Sequence, residues 1–338
     1  MKSRFLTLGS TLVVFLILYA VSWARFPTFG STVVLGNILY DTSFLGIVAV
    51  GMTFVIISGG IDLSVGSVIA FTGVFCALII KNTQLHPLVV FALALALGTA
   101  FGATMGAIIH YFKIAPFIIT LAGMFLARGS TFLLTTESVG VTHPFYHSLY
   151  ALAIKFPDSG RLSVLAMVFL VVLLGGIFIA HFTEFGRNIY AMGGGDNTAF
   201  LLGVPIARTT IGVYALSGFL AALSGVVYSL YTSSGYPLAT VGVELDAIAA
   251  VVIGGTLLSG GSGYVAGTFI GILIQGVIQT YIAFDGTLNS WWTKIIIGML
   301  LFLFIVLQKV LASSADLGRI LSSLVARAPQ TESKVYSK

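Results

Sequence analysis

The sequence predicts an all-α polytopic membrane protein of about ten transmembrane helices, with a parallel internal duplication and glycine-broken helices. Three observations carry that prediction. The chain of 338 residues is 58% hydrophobic and only 8% charged, against about 25% charged in soluble domains. No water-soluble chain of this length could hide so much apolar surface. Apolar runs of about twenty residues, the length that crosses a bilayer core, recur from end to end. A glycine-rich pattern of nine residues also occurs twice, at a constant offset of 195.

Taken in order, the first apolar run covers 6–25 and follows Lys2 and Arg4. Ser22-Trp23-Ala24 has the look of a signal-peptidase site. The run nevertheless reaches span length and bulky Trp23 sits beside the would-be cut, so an uncleaved first helix is expected. Lys2 and Arg4 then hold the N-terminus in the cytoplasm. Further spans are expected near 37–58, 64–80, 88–110, 116–135, 162–182, 209–231, 245–258, 263–283 and 291–311. Ten spans return the C-terminus to the cytoplasm, so the chain divides into a membrane domain over 1–312 and a cytoplasmic, disordered tail over 313–338. Lys113, Arg187, Arg208, Lys309 and the basic residues of the tail fall inside, against Arg25, Lys81, Lys155, Arg161 and Lys294 outside. That bias supports a multi-pass membrane protein with both termini cytoplasmic. The net charge of +5 follows this topology and gives no reason to expect nucleic acid as a partner.

The long loop 136–161 then faces outward, with Phe145, Tyr146, Tyr150 and Phe156 as interface anchors or as a docking face. His143 and His147 are four apart, but Pro144 disfavours a regular helix across them, so no metal site is expected. The single cysteine, Cys76, allows no disulfide framework.

The repeated pattern is Gly59-Gly60-Ile61-Asp62-Leu63-Ser64-Val65-Gly66-Ser67 and Gly254-Gly255-Thr256-Leu257-Leu258-Ser259-Gly260-Gly261-Ser262. Paired, glycine-interrupted apolar segments in two halves point to a transport pathway. Asp62, Ser64, Thr256 and Ser259 are its candidate polar contacts. The competing reading is close helix packing by small residues, with Asp62 capping the helix that follows. Arg128 lies roughly 20 Å along the fifth span from Pro116 at 1.5 Å per residue. It either snorkels outward or faces an aqueous path. Glu244 and Asp246 suit a helix start, while Asp285, Asn289, Trp291, Trp292 and Lys294 read as an outer interface cluster.

Thr183 to Arg208 is the longest polar interruption in the second half. Met192-Gly193-Gly194-Gly195 breaks the chain, and Asp196 or Asn197 can cap a new helix. A short helix over Thr198–Leu202 is expected, stopped by Gly203 and Pro205. Such a helix needs a docking partner to be stable, and Phe200, Leu201 and Leu202 offer an apolar face for one.

Asn197-Thr198-Ala199-Phe200-Leu201-Leu202-Gly203 resembles the loop by which permease subunits of bacterial ABC importers engage their ATPase, whose signature is Glu-Ala-Ala, three residues, Gly. Ala199 and Gly203 fit; Asn197 stands where the acid is usual and Thr198 where the first alanine is. GRNIYAMGG from Gly186, VYALSGFLAALSG from Val213 and the Gly59–Ser67 run are similar to the ribose/xylose/galactofuranose branch of monosaccharide permeases. The likeness covers roughly residues 5–312. It implies a non-catalytic permease subunit of an ATP-driven monosaccharide importer, with galactofuranose as the sugar. Its partners would be an ATP-binding subunit, a second related permease in a heterodimer, and a periplasmic sugar-binding protein. Residues 197–203 would couple to the ATPase. The chain itself would bind no cofactor, ATP being used by the partner, and it carries no Gly-x-x-x-x-Gly-Lys-Ser/Thr phosphate loop. Two rivals stand beside this reading: an ion-coupled secondary transporter, for which Asp62 is the one plausible buried acid, and a passive channel or scaffold.

Overall fold

A computed structural model describes residues 2–156, 158–289 and 291–326. The chain runs through α1 (Lys2–Arg25), a 3-10 turn (Pro27–Gly30), α2 (Thr32–Asp41), α3 (Ser43–Ile57), α4 (Val65–Asn82), α5 (Pro87–Phe112) and α6 (Pro116–Leu134). A connection of short elements follows: β1 (Val139–Gly140), α7 (Pro144–Ala151), β2 (Ala153–Lys155) and β3 (Arg161–Ser163). The second half holds α8 (Val164–Phe182), α9 (Glu184–Gly193), α10 (Asp196–Leu201), α11 (Ile206–Thr232), β4 (Ser234–Gly235), α12 (Val243–Ile253), α13 (Val265–Asp285) and α14 (Trp291–Ala326).

Every expected apolar segment is helical, yet they are not ten equal spans. Eight of the described helices are long and apolar enough to cross a bilayer singly. The expected 37–58 span is the pair α2 and α3, bent by 56° at Thr42, whose hydroxyl donates back to the Ile38 carbonyl at 2.7 Å. The expected 245–258 span is cut short at Gly254. The 11 residues of α12, at 1.5 Å each, reach only about half the ~30 Å hydrocarbon core. Helix α14 continues to Ala326, past the expected boundary at 312. Residues 327–338 of the expected tail lie outside the described residues.

Local chemistry explains most helix ends. Pro87, Pro116 and Pro144 open α5, α6 and α7, where a missing N–H costs nothing. Pro144 therefore starts a helix beside His143 where the sequence suggested it would prevent one. His143 Nδ1 accepts from the Phe145 amide at 3.1 Å. Strands β1 and β4 pair antiparallel, as do β2 and β3, so the connection between α6 and α8 is folded.

Helix α11 sits at the centre, packed on α3, α4 and α5. Its closest approach is to α5, where Gly98, Gly102 and Gly106 face it. A Cβ at Gly98 would lie 2.7 Å from the Gly218 carbonyl oxygen, and one at Gly106 would lie 2.9 Å from the Ile211 Cα. Small residues thus let two backbones meet, the usual means of association where lipid offers no hydrophobic gain. Hydroxyls tie the core crosswise. Thr53 and Thr268 share a 2.7 Å hydrogen bond between α3 and α13, and Ser224 of α11 donates to the Phe44 carbonyl at 2.6 Å. Helix α3 is buried at every position from Gly46 to Ile57. At the periphery, Phe125, Val171 and Phe302 stand exposed, as side chains facing lipid do.

Candidate functional site

The two breaks between α3 and α4 and between α12 and α13 share one turn chemistry. At the first, Gly59 has φ +88°, its amide donates to Ile56 O at 2.9 Å, and the Gly60 amide reaches Val55 O at 3.0 Å. At the second, Gly255 has φ +92°, donating to Val252 O at 2.9 Å, and Thr256 donates to Val251 O at 3.2 Å. Both are Schellman ends, closed by a glycine in the left-handed region. The turns match Gly59 to Gly255, whereas the sequence repeat aligns Gly59 with Gly254. The second connection is also longer, because α4 restarts at Val65 and α13 only at Val265. Ser64 and Ser259, partners in the repeat, therefore occupy different places: Ser64 immediately precedes α4, while Ser259 lies within the longer loop.

The two breaks touch each other and α9. The Gly261 amide donates to the Ile57 carbonyl at 2.9 Å, and a Cβ at Gly260 would lie 2.9 Å from the Gly59 Cα. Gly193, the last residue of α9, is wedged between them. A Cβ there would strike the Ile57 carbonyl and the Gly261 amide and lie 2.7 Å from the Gly261 Cα. The Tyr190 hydroxyl adds a 2.7 Å bond to the Gly263 carbonyl. Beside this junction a cavity of about 520 Å³ opens, lined by Ser58, Gly59, His110, Lys113, Tyr214 and Ser259 among others.

Helix α10 follows directly. Gly195, at φ +123°, is its cap residue, in place of the expected Asp196 or Asn197. Its end matches the expectation: Gly203 has φ +78°, its amide donates to Phe200 O at 2.9 Å, and Val204 donates to Ala199 O at 3.1 Å. Ala199 is fully buried, while Phe200, Leu201 and Leu202 are 72%, 84% and 72% exposed. Asn197 and Thr198 are exposed too. A notch of about 520 Å³ lies alongside, between Asn197, Phe200, Lys113 and Arg208. A six-residue helix that, with its cap residue Leu202, offers three large apolar side chains is built to be covered.

The remaining pathway candidates are dispersed. Asp62 is fully buried, accepting from the Ser64 amide at 2.9 Å, the Ser64 hydroxyl at 2.6 Å and the Ser217 hydroxyl of α11 at 2.7 Å. Those three bonds occupy its carboxylate in joining the first break to α11, and it does not cap α4 as expected, since Ser64 is the cap residue. Arg128 is only partly buried. Its Nη1 donates to the carbonyls of Pro237 at 2.6 Å and Ala239 at 2.9 Å, pinning α6 to the segment before α12. Thr256 is buried, with no partner found for its hydroxyl among the described residues. Ser259 alone of the five lines the cavity beside the junction.

A second cavity, of about 480 Å³, lies at the opposite end of α3 and α11. Asp41, Tyr228, Tyr231, Gln275 and Gln279 line it, with the Asp246–Lys294 ion pair and Trp291. Of these, sequence reasoning singled out only Asp246, Trp291 and Lys294. Asp41 looked like one more polar residue within an apolar run, and nothing local announces that Tyr231 reaches it from 190 positions away.

The family described as "Branched-chain amino acid transport system / permease component" matches residues 34–305. The chain is 60% identical over 255 residues to the inner membrane ABC transporter permease protein YjfF of Escherichia coli (strain K12), covering 75% of this chain and 77% of that protein. It is 38% identical over 268 residues to the fructose import permease protein FruG of Bifidobacterium longum (strain NCC 2705), covering 77% and 78%. With the ribose import permease protein RbsC of Escherichia coli (strain K12) the identity is 39% over 257 residues, covering 75% and 78%.

Proposed function

The chain belongs to the permease-component family of branched-chain amino acid transport systems, and from that premise we propose that it is the transmembrane permease subunit of an ATP-driven monosaccharide importer. It forms half of the translocation pathway beside a second, related permease. A separate ATP-binding subunit docks on α10, and a periplasmic binding protein delivers the sugar to the outer face. Galactofuranose is the proposed cargo, carried over from the sequence resemblance. The chain makes and breaks no covalent bond and leaves ATP to its partner.

One observation carries the coupling role. The exposed apolar helix α10 follows α9 after only Gly194 and Gly195, and the end of α9 at Gly193 is wedged against both helix breaks. Displacement of α10 by a closing ATPase would therefore act on the inner ends of α3 and α12 together. Two cavities at opposite ends of α3, with a fully packed stretch between them, suit a pathway open to one side at a time. Nucleotide energy can bias such a pathway only by favouring one of its states over the other.

Two measurements test this reading. In sealed vesicles holding the complete transporter, monosaccharide uptake should require internal ATP and survive collapse of the proton gradient. Uptake driven by the gradient alone would favour the ion-coupled alternative. The orientation, with both termini cytoplasmic, is tested by single cysteines at Asp158 and Asn197 in a Cys76→Ala background, which should label from opposite sides of the membrane. Labelling of both from outside would invert the docking face and remove α10 from the cytoplasm.

A further inference from the structure

The cavity bordered by Tyr228 and Tyr231 has the chemistry of a carbohydrate site. A monosaccharide presents two kinds of surface: a C–H face that prefers an aromatic ring, and a rim of hydroxyls that each need a donor or acceptor. Tyr228 and Tyr231 both line the cavity and are only partly buried. They belong to a ladder of rings that starts on the connection between α6 and α8. Tyr150 of α7 meets Tyr40 at 6.4 Å, Tyr40 meets Tyr231 at 4.9 Å, Tyr231 meets Phe44 at 6.1 Å, and Phe44 meets Tyr228 at 5.0 Å. A purely structural aromatic core would be sealed, whereas this one borders about 480 Å³ of open space, within the roughly 300–1,000 Å³ typical of small-molecule sites.

Polar groups stand around the same space. The Asp41 Oδ1 accepts from the Tyr231 hydroxyl at 3.2 Å, which leaves Oδ2 to accept from a ligand. Gln275 lines the cavity and spends its amide nitrogen on the Asp246 backbone carbonyl at 3.0 Å, which leaves its oxygen as an acceptor. Gln279, one helical turn further along α13, is exposed and supplies both a donor and an acceptor. Asp246 is neutralised by Lys294, so the lining offers a small charge surplus to an uncharged, hydroxyl-rich ligand.

We propose that this cavity is the permease's own monosaccharide site, with the Tyr228 and Tyr231 rings as the platform and Asp41, Gln275 and Gln279 as the hydroxyl partners. The proposal rests on the transport reading above and names the place where a sugar released at the outer face is first held. Rings reaching from α7 to the cavity give the sugar a continuous surface from the connection between α6 and α8 inward.

The test has two arms. In the first, the complete transporter is reconstituted and supplied with galactose, ribose and fructose in turn. Tyr231→Leu and Gln279→Leu should each reduce uptake about tenfold or more, a loss of roughly 1.4 kcal/mol per decade, while co-purifying with the ATPase at normal yield. Tyr231→Phe, which keeps the ring, should retain most of the uptake. The second arm needs no transport. A cysteine introduced as Thr293→Cys, at a lining residue that is not one of the proposed sugar partners, with Cys76→Ala, is labelled from outside by a charged maleimide, and a millimolar sugar should slow that labelling severalfold. Normal uptake by both leucine variants together with unprotected labelling overturns the site. If the wild-type complex moves none of the sugars, the transport reading fails. The labelling arm then decides the cavity alone: protection upholds it, and its absence overturns it.

Discussion

Gly203→Val and Leu201→Asp should each abolish ATP-driven uptake and sugar-stimulated ATP hydrolysis while the chain still inserts at normal levels. The two act by different routes. Gly203 closes α10 at φ +78°, a conformation that costs an L-residue about 1–2 kcal/mol and is worst for a β-branched one. A valine there releases the Val204–Ala199 and Gly203–Phe200 hydrogen bonds and lets the helix run on toward Pro205, so Phe200, Leu201 and Leu202 no longer present one surface. No neighbour lies within 4 Å of a Cβ at Gly203, so the defect arises from backbone strain and not from a clash in the core. Leu201 is 84% exposed, and its replacement leaves the subunit's own packing untouched. An aspartate there would place an unpaired charge in an apolar contact. Asn197→Glu should be tolerated, because Asn197 is exposed and an acid near a helix N-terminus is favourable. Retained uptake and retained ATPase association in both loss variants would overturn α10 as the coupling element.

Gly193→Val should have the largest effect on the folded protein itself. A Cβ at this position meets backbone on both sides, the Ile57 carbonyl and the Gly261 amide. Neither can move without separating the two helix breaks, which are joined there by the Gly261–Ile57 hydrogen bond at 2.9 Å. Overpacking usually costs about 1–3 kcal/mol, and a collision with two backbones at once belongs at or beyond the upper end. Gly193→Val should accumulate poorly, and Gly193→Ala should lower the thermal midpoint in detergent and uncouple ATP hydrolysis from uptake. Gly175→Val is the control, since nothing lies within 4 Å of a Cβ there. Equal stability of the Gly193→Ala and Gly175→Val variants would show that the junction yields easily. It could not then transmit motion from α9 to the breaks.

Much of this molecule is readable from its residues in order, for a local reason. Hydropathy accumulates over neighbours, so each apolar run marks its own helix, and glycine and proline act within one turn. Gly203 stops α10, and Gly59 ends α3, by hydrogen bonds spanning five residues or fewer. Partners brought from a distance are the part that only the tertiary structure decided. Asp62 seemed free to face a pathway until Ser217, 155 positions on, arrived to bond it. Nothing near Arg128 in the sequence shows that its Nη1 donates to the Pro237 and Ala239 carbonyls, more than a hundred positions on. The register of the repeated glycine pattern likewise depended on which glycine took the positive φ, and the break at Gly254 rather than the hydropathy of 245–258 set the length of α12. The cavity bordered by Tyr228 and Tyr231 is the furthest case. Its walls come from α2, α3, α11, α12, α13 and α14, and a cavity is the space those helices leave when packed, a property that no single stretch of sequence carries.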